Sequence, residues 1–283
     1  MSKVAIVIDS TTTLPKEMKA ELAVRSAPAT IIWSGEELRD GIDIQPSEFY
    51  ARLALSDEMP TTSQAPPTEF KTHFDALILE GYDILTIVIS SKLSGMYDSA
   101  MQARNMLPDA TIEVIDSLTG AMAIGLALPT ISQAAEQGLT LSECKEIAEN
   151  ALNNTGIIFM VDTLEYLYRG GRIGGAQKFL GTALNFKPIL EIIDGAFEGV
   201  ERIRTRTKAL NRLVELLIDR IGGRAPVHLA AMHANSCDRA AQLIEMAGSQ
   251  IELEQSTISE VSPAVGVHLG PGAVGFAFMA GVK

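Results

Sequence analysis

The sequence predicts an α/β protein in two parts: an N-terminal domain of βα units with a parallel sheet over residues 1–156, and a C-terminal domain with a mixed sheet over residues 157–283. Three observations carry this. The chain is 283 residues long and 47% hydrophobic, enough for a sizeable core and, by the usual domain size, for two of them. In the first half, short runs of branched apolar residues each end in hydroxyl or carboxylate residues and lead into helical patterns, the grammar of βα units. In the second half an apolar run, an Asp-Gly pair and a further extended run follow directly on one another, the grammar of an antiparallel hairpin.

Residues 4–8 are the first predicted strand and lead to Asp9-Ser10-Thr11-Thr12. Residues 84–89 lead to Ser90-Ser91-Lys92-Leu93-Ser94-Gly95, and residues 111–115 to Asp116-Ser117. Three parallel strand ends thus place small polar groups along one edge, where ligands of open α/β sheets bind. Thr140 and Glu143 have capping-box spacing for a helix whose apolar face carries Leu141, Cys144, Ile147 and Ala151. Asn153-Asn154-Thr155-Gly156 ends that helix and marks the boundary between the two parts. Residues 164–168 read as helix, and the turn Arg169-Gly170-Gly171-Arg172-Ile173-Gly174-Gly175 as its C-cap and a contact surface. Residues 189–193, a turn at Asp194-Gly195 and an extended stretch to Thr207 form the hairpin. Residues 227–232 form a strand before a helix capped near Asn235 or Ser236, and residues 274–279 a terminal strand.

Composition removes several classes of function. A net charge of −12 opposes the counterion displacement that nucleic-acid binding needs, and aromatics at 5% offer few stacking platforms. Two cysteines, Cys144 and Cys237, supply neither a disulfide framework nor a zinc cluster and suit a reducing cytoplasm, the expected location. The apolar run at 4–8 is too short for a signal-peptide core, and no apolar stretch reaches the roughly 18–20 residues of a membrane span, so stable membrane insertion is not expected. No phosphate loop ending in Gly-Lys-Ser/Thr occurs, and the glycines at 170–175 lack dinucleotide spacing. His73, His228, His233 and His268 lack metal-ligand spacing, and no Gly-x-Ser-x-Gly elbow accompanies a serine.

The most informative candidates are the hydroxyls of Thr61-Thr62-Ser63 and the Ser94-Gly95 pair, placed beside the carboxyl ends of the parallel strands. A helix starting near Ser94 offers free N–H groups and the positive end of its dipole to a carboxylate or phosphate, and Gly95 lets the backbone come close. The same residues also suit plain capping and turn roles. Arg202, Arg204, Arg206 and Lys208 recur at every second position, which in a strand forms one cationic face, either solvated or turned to an anion. His268 opens a sharp Gly-Pro-Gly turn that could hold its ring at a cleft or simply pack it.

In this order the segments resemble the DegV family across essentially the whole chain. Asp9-Ser10 through Leu14-Pro15 is similar to the family's opening, Asp40-Gly41-Ile42-Asp43 with Glu48-Phe49-Tyr50 to its next block, and Pro60-Thr61-Thr62-Ser63-Gln64 to its hydroxyl motif. The segment at 89–97 resembles the family's Ser-Gly segment, with Met96 where a Thr is usual. Residues 164–188, with Gly170-Gly171-Arg172-Ile173 and Leu184-Asn185-Phe186-Lys187-Pro188, are similar to its longest motif; Phe186 replaces a smaller aliphatic residue. His268-Leu269-Gly270-Pro271-Gly272 completes the pattern, with Leu269 for the usual Thr.

The resemblance implies an N-terminal three-layer α/β/α domain with a parallel sheet and a C-terminal two-layer α/β domain with a mixed sheet, in a lipid-binding protein and not an enzyme, with no catalytic residue, metal or cofactor of its own. A long-chain fatty acid would lie between the two domains, its carboxylate on Thr62 and Ser94, supported by Thr61, Ser63, Gly95 and His268. It further implies a partner, a separate ATP-binding fatty acid kinase subunit that receives the carboxylate for acyl phosphate formation, with Arg204 and His268 matching positions linked to that transfer; Arg206, next on the cationic row, is the alternative to Arg204. The alternative is a stand-alone hydrolase or transferase acting on a small anionic substrate, which would need a nucleophile paired with a base.

Overall fold

The structure is a computed structural model and describes residues 3–181 and 186–282; Leu184 and Asn185 of the long motif lie outside the described residues. The chain opens with β1 (Lys3–Asp9), a 3-10 turn at Ser10–Thr12, α1 (Lys16–Glu21) and β2 (Arg25–Ala27). It then leaves the sheet for β3 (Thr30–Trp33), β4 (Glu36–Arg39), α2 (Pro46–Leu53) and β5 (Thr61–Ser63). It returns through α3 (Pro67–Leu79), β6 (Tyr82–Val88), α4 (Met96–Asn105), β7 (Ile112–Asp116), α5 (Ala121–Glu136) and α6 (Leu141–Asn153). The remainder is β8 (Thr155–Met160), α7 (Glu165–Arg169), β9 (Lys187–Ile193), β10 (Ala196–Ile203), α8 (Arg206–Ile221), β11 (Val227–His233), α9 (Cys237–Gly248), β12 (Gln255–Glu260), α10 (Pro263–Leu269) and β13 (Val274–Ala280).

Strands β2-β1-β6-β7 form a four-stranded parallel sheet. Helices α3 and α4 pack on one face, and α5 and α6 on the other, giving the expected three layers. The crossover rule explains the arrangement: parallel neighbours need a helix to return the chain, and the helices bury both faces. The second sheet, in the order β10-β9-β8-β13-β11-β12, mixes antiparallel pairs with the parallel pair β11–β12. Helices α8 and α9 cover one of its faces. The other face meets α5, which also touches β1. That double contact accounts for the burial of Ala121 through Leu128 along almost every side of α5. A surface helix would show a single apolar stripe.

The hairpin is present: β9 and β10 pair antiparallel, and Asp194 (φ 48°) and Gly195 (φ 82°) supply the two left-handed residues of its turn. The Gly195 carbonyl accepts from Ser90 Oγ at 2.8 Å, tying the hairpin to the end of β6. A Cβ at 195 would overlap that oxygen, so glycine is required there for space as well as for φ. Thr140 and Glu143 form the capping box, and Cys144 is fully buried on the face read from the sequence.

Two expectations fail. The extended stretch does not reach Thr207, because β10 ends at Ile203 and the Thr205 side chain accepts from Lys208 N to start α8. Arg202 is therefore a strand residue, Arg204 a connector residue, and Arg206 and Lys208 first-turn helix residues, so the single cationic face does not form. Ala209, Leu210, Leu213, Val214 and Leu217 recur with helical spacing and are buried, and this outweighs the period-two spacing of the arginines. Thr61-Thr62-Ser63 also differ from expectation: they are strand β5 of a small antiparallel sheet, β4-β3-β5, which the sequence reading did not identify.

Candidate functional site

The ends of β1, β6 and β7 meet as expected. Asp9 accepts from Thr11 N at 2.8 Å and from Ile89 N at 2.7 Å, and Asp116 Oδ1 accepts from Ser91 N at 3.1 Å. Burial raises the Asp9 pKa despite the donors from Thr11 and Ile89. Ser10 Oγ donates to Asp40 Oδ2 at 2.6 Å, and Asp40 Oδ1 accepts from Ala264 N at 3.1 Å, so one carboxyl joins the 3-10 turn to the start of α10. Burial raises the Asp40 pKa as well, against the opposing bonds from Ser10 and Ala264. These two buried acids hold the loops in place through those bonds.

A cavity opens beside this frame, its polar lining made by Thr11, Thr62, Ser63, Gln64, Ser94, Arg172 and His268. It continues into an apolar cavity between the two sheets, walled by Ala121, Ile157, Phe159, Ile192, Met232 and Gly275 among others. Ile89, Leu93, Phe197, Val265 and Leu269 line both, so the two are one passage with a polar mouth and an apolar interior.

His268 sits at the last turn of α10, where Gly266 meets Phe49 and Tyr50 so closely that a Cβ would clash. Its Nε2 is 2.7 Å from Thr62 Oγ1, and its buried Nδ1 has no partner among the described residues. Burial, and after it the Arg172 charge, lowers the His268 pKa to about 4. A neutral ring that donates Nε2–H to Thr62 leaves Nδ1 as a bare lone pair, a lesser cost than an orphaned N–H. It also frees the Thr62 O–H to donate to an anion. The expected result is an NMR titration midpoint for His268 near 4 in lipid-free protein, rising once a carboxylate occupies the mouth; a midpoint near the usual histidine value would contradict this environment.

Ser94 precedes α4, and its hydroxyl has no hydrogen-bond partner among the described residues. The first N–H groups of α4 follow it, and Gly95, its N-cap, lies under the Gln64 amide, which a Cβ there would push aside. Arg172 donates from Nε to Leu93 O at 3.1 Å and from Nη1 to Gly170 O at 2.7 Å, which holds its charge at the mouth. A helix start, free hydroxyls and a fixed guanidinium suit a carboxylate. A Cβ on Gly170 would overlap His268 Nδ1, so the glycine turn that carries Arg172 also makes space for the imidazole.

Of the residues singled out from sequence, Thr62, Ser63, Ser94 and His268 line the mouth together. Thr61 is exposed and does not line it, and Gly95 lies beside it. Arg204 is exposed on the β10–α8 connector. Arg206 is held by Asp162 through Nη2 at 2.9 and 2.8 Å, and Lys187 donates to the same carboxylate at 2.7 Å. Burial works to raise the Asp162 pKa, but the Arg206 and Lys187 bonds prevail and it is lowered. Sequence reasoning missed Arg172, Gln64 and Thr11 as lining residues. The charge of Arg172 between two glycine pairs is the signal that could have found the first.

A family model described as "Uncharacterised protein, DegV family" matches residues 3–281. A DegV domain-containing protein of Clostridium perfringens is 34% identical over 279 residues, covering 97% of this chain and 98% of its own. A DegV family protein from Thermus thermophilus, whose structure is described as showing fatty acid binding, superposes with a TM-score of 0.92 at 32% identity, covering 98% of this chain and 99% of its own. DegV of Bacillus subtilis, described as a fatty acid binding protein, superposes at 0.89 with 32% identity, covering 99% and 100%.

Proposed function

Because the chain belongs to the DegV family, we propose that it binds a long-chain fatty acid, with the carboxylate at the Thr62–Ser94 mouth and the tail between the sheets, and presents that carboxylate to a separate ATP-binding kinase subunit. The observation that supports this best is the single passage whose walls change from polar to apolar. At roughly 0.8 kcal/mol per buried CH₂, a sixteen-carbon tail contributes on the order of 10 kcal/mol before ordering costs. The mouth then fixes the head group, since a carboxylate taken from water without donors would protonate. The absence of a phosphate loop from the sequence leaves ATP binding to the partner.

Thr62 and His268 at 2.7 Å also have the spacing of a nucleophile and base, which favours a stand-alone hydrolase as second reading. Against it, Nδ1 of the ring has no carboxylate to orient it among the described residues, and an imidazole with a pKa near 4 is a weak base. Protein purified from a bacterial host and extracted with organic solvent is expected to release a long-chain fatty acid at near one per chain by mass spectrometry. Recovery of polar metabolites only would overturn the lipid reading.

A further inference from the structure

The six-stranded sheet is split beneath the apolar cavity. β8 and β9 pair only through Ile158–Glu191, Phe159–Leu190 and Met160–Ile189. Beyond that point each strand continues with another partner: β8 stays on β13 back to Thr155, and β9 stays on β10 out to Ile193. The two strands therefore part at Ile157 and Ile192, and an open cleft occupies the gap. Ile157 and Ile192 line both this cleft and the apolar cavity. By strand alternation they fall on the same face as Phe159 and Leu190, the side packed with α5, whereas Ile158 and Ile189 belong to the core under α8. Gly156 beside the gap has no side chain, and the Phe278 ring takes the space a Cβ would need. The outer rim carries the Arg220–Glu191 ion pair at 3.0 Å and Arg224, whose guanidinium is held by Asn154 Oδ1 at 3.1 Å.

Resting on the fatty-acid reading, we propose that the acyl passage has a second opening between Ile157 and Ile192, and that the protein accepts acyl chains longer than the interdomain cavity encloses. A closed cavity imposes a steep penalty on the first methylene too many, because packed walls do not yield. An open end imposes none. The terminal carbons pass between two isoleucines and come to rest against the aliphatic stems of Arg220 and Arg224, which cover apolar surface while their charged heads stay in water. Ile157 and Ile192 are then the residues that determine specificity for chain length.

The test is the affinity of delipidated full-length protein for saturated fatty acids of fourteen to twenty-two carbons. The expected result is no loss of affinity between sixteen and twenty-two carbons, and for Ile192→Trp a loss of about ten-fold or more at twenty and twenty-two carbons with fourteen carbons within about three-fold of the parent. Ile157→Phe closes the gap from the other strand and should give the same pattern, which covers the case in which the tryptophan is not tolerated. A drop of about ten-fold from sixteen to twenty carbons in the parent, or equal weakening of short and long chains in both variants, overturns the second opening while leaving fatty-acid binding intact. Failure of the parent to bind the fourteen- and sixteen-carbon acids overturns the fatty-acid reading itself, and the opening with it.

Discussion

Removing the Thr62 or the Ser94 hydroxyl, by Thr62→Ala or Ser94→Ala, is expected to weaken long-chain fatty acid binding by about ten- to one-hundred-fold, since a hydrogen bond to a charged group contributes roughly 1.5–3 kcal/mol. The double variant should lose less than the product of the two. Both hydroxyls face one carboxylate in the proposed complex, and once it has lost one donor it draws closer to water and to Arg172, so the second loss matters less. Thr62→Ala carries an extra cost, because it leaves the His268 ring with neither nitrogen bonded among the described residues. Thr62→Ser keeps the donor and should restore most of the affinity. Calorimetric titration of delipidated variants, with circular dichroism to confirm the fold, checks this; unchanged affinity in both single variants would remove these hydroxyls from the head-group site.

Arg204→Ala is expected to leave fatty acid affinity within about two-fold while lowering acyl phosphate formation with a cognate kinase subunit and ATP by about a hundred-fold or more, the low end of the scale for losing one preorganised donor or charge from a transfer site. The two arginines considered from sequence have different circumstances. Arg206 is committed to Asp162 and part of a three-residue ion pair with Lys187, so its removal should show first as lost stability. Arg204 is exposed on the connector before α8 and has no ion pair or hydrogen bond among the described residues. An exposed, uncommitted guanidinium is available to a partner's nucleotide, where carboxylate and γ-phosphate bring two anions together. Lipid affinity measured beside transfer rate separates the cases. A parallel fall in both would assign Arg204 to lipid binding, and no change in either would make it a solvated side chain.

How much could be read in advance depended on the range of the signal. The βα units, the Asp194-Gly195 hairpin, the Thr140–Glu143 capping box and the burial of Cys144 were all legible because each is a local pattern with its own period or turn chemistry. Thr62, Ser94 and His268 were legible as types, hydroxyls beside strand and helix ends and a histidine at a turn. The small sheet β4-β3-β5 was not, since strands of three or four residues carry too little alternation to register. The arginine row misled because two periods overlap at residues 202–208, and the longer apolar pattern of α8 decided the backbone.

By itself the sequence determined the fold class, the main βα units and the hairpin, the family pattern and the hydroxyl and imidazole groups of the mouth, because periodicity, capping and turn residues act over a few positions. Only the tertiary structure decided that Thr62 reaches His268 across 206 positions of chain, that Arg172 joins them, and that Arg206 is occupied by Asp162. It likewise decided that α5 is wedged between the two sheets and that β8 and β9 part at Ile157 and Ile192. Each of these depends on how two sheets pack around one helix, and packing is set by the summed shapes of many side chains, a quantity that no local pattern carries.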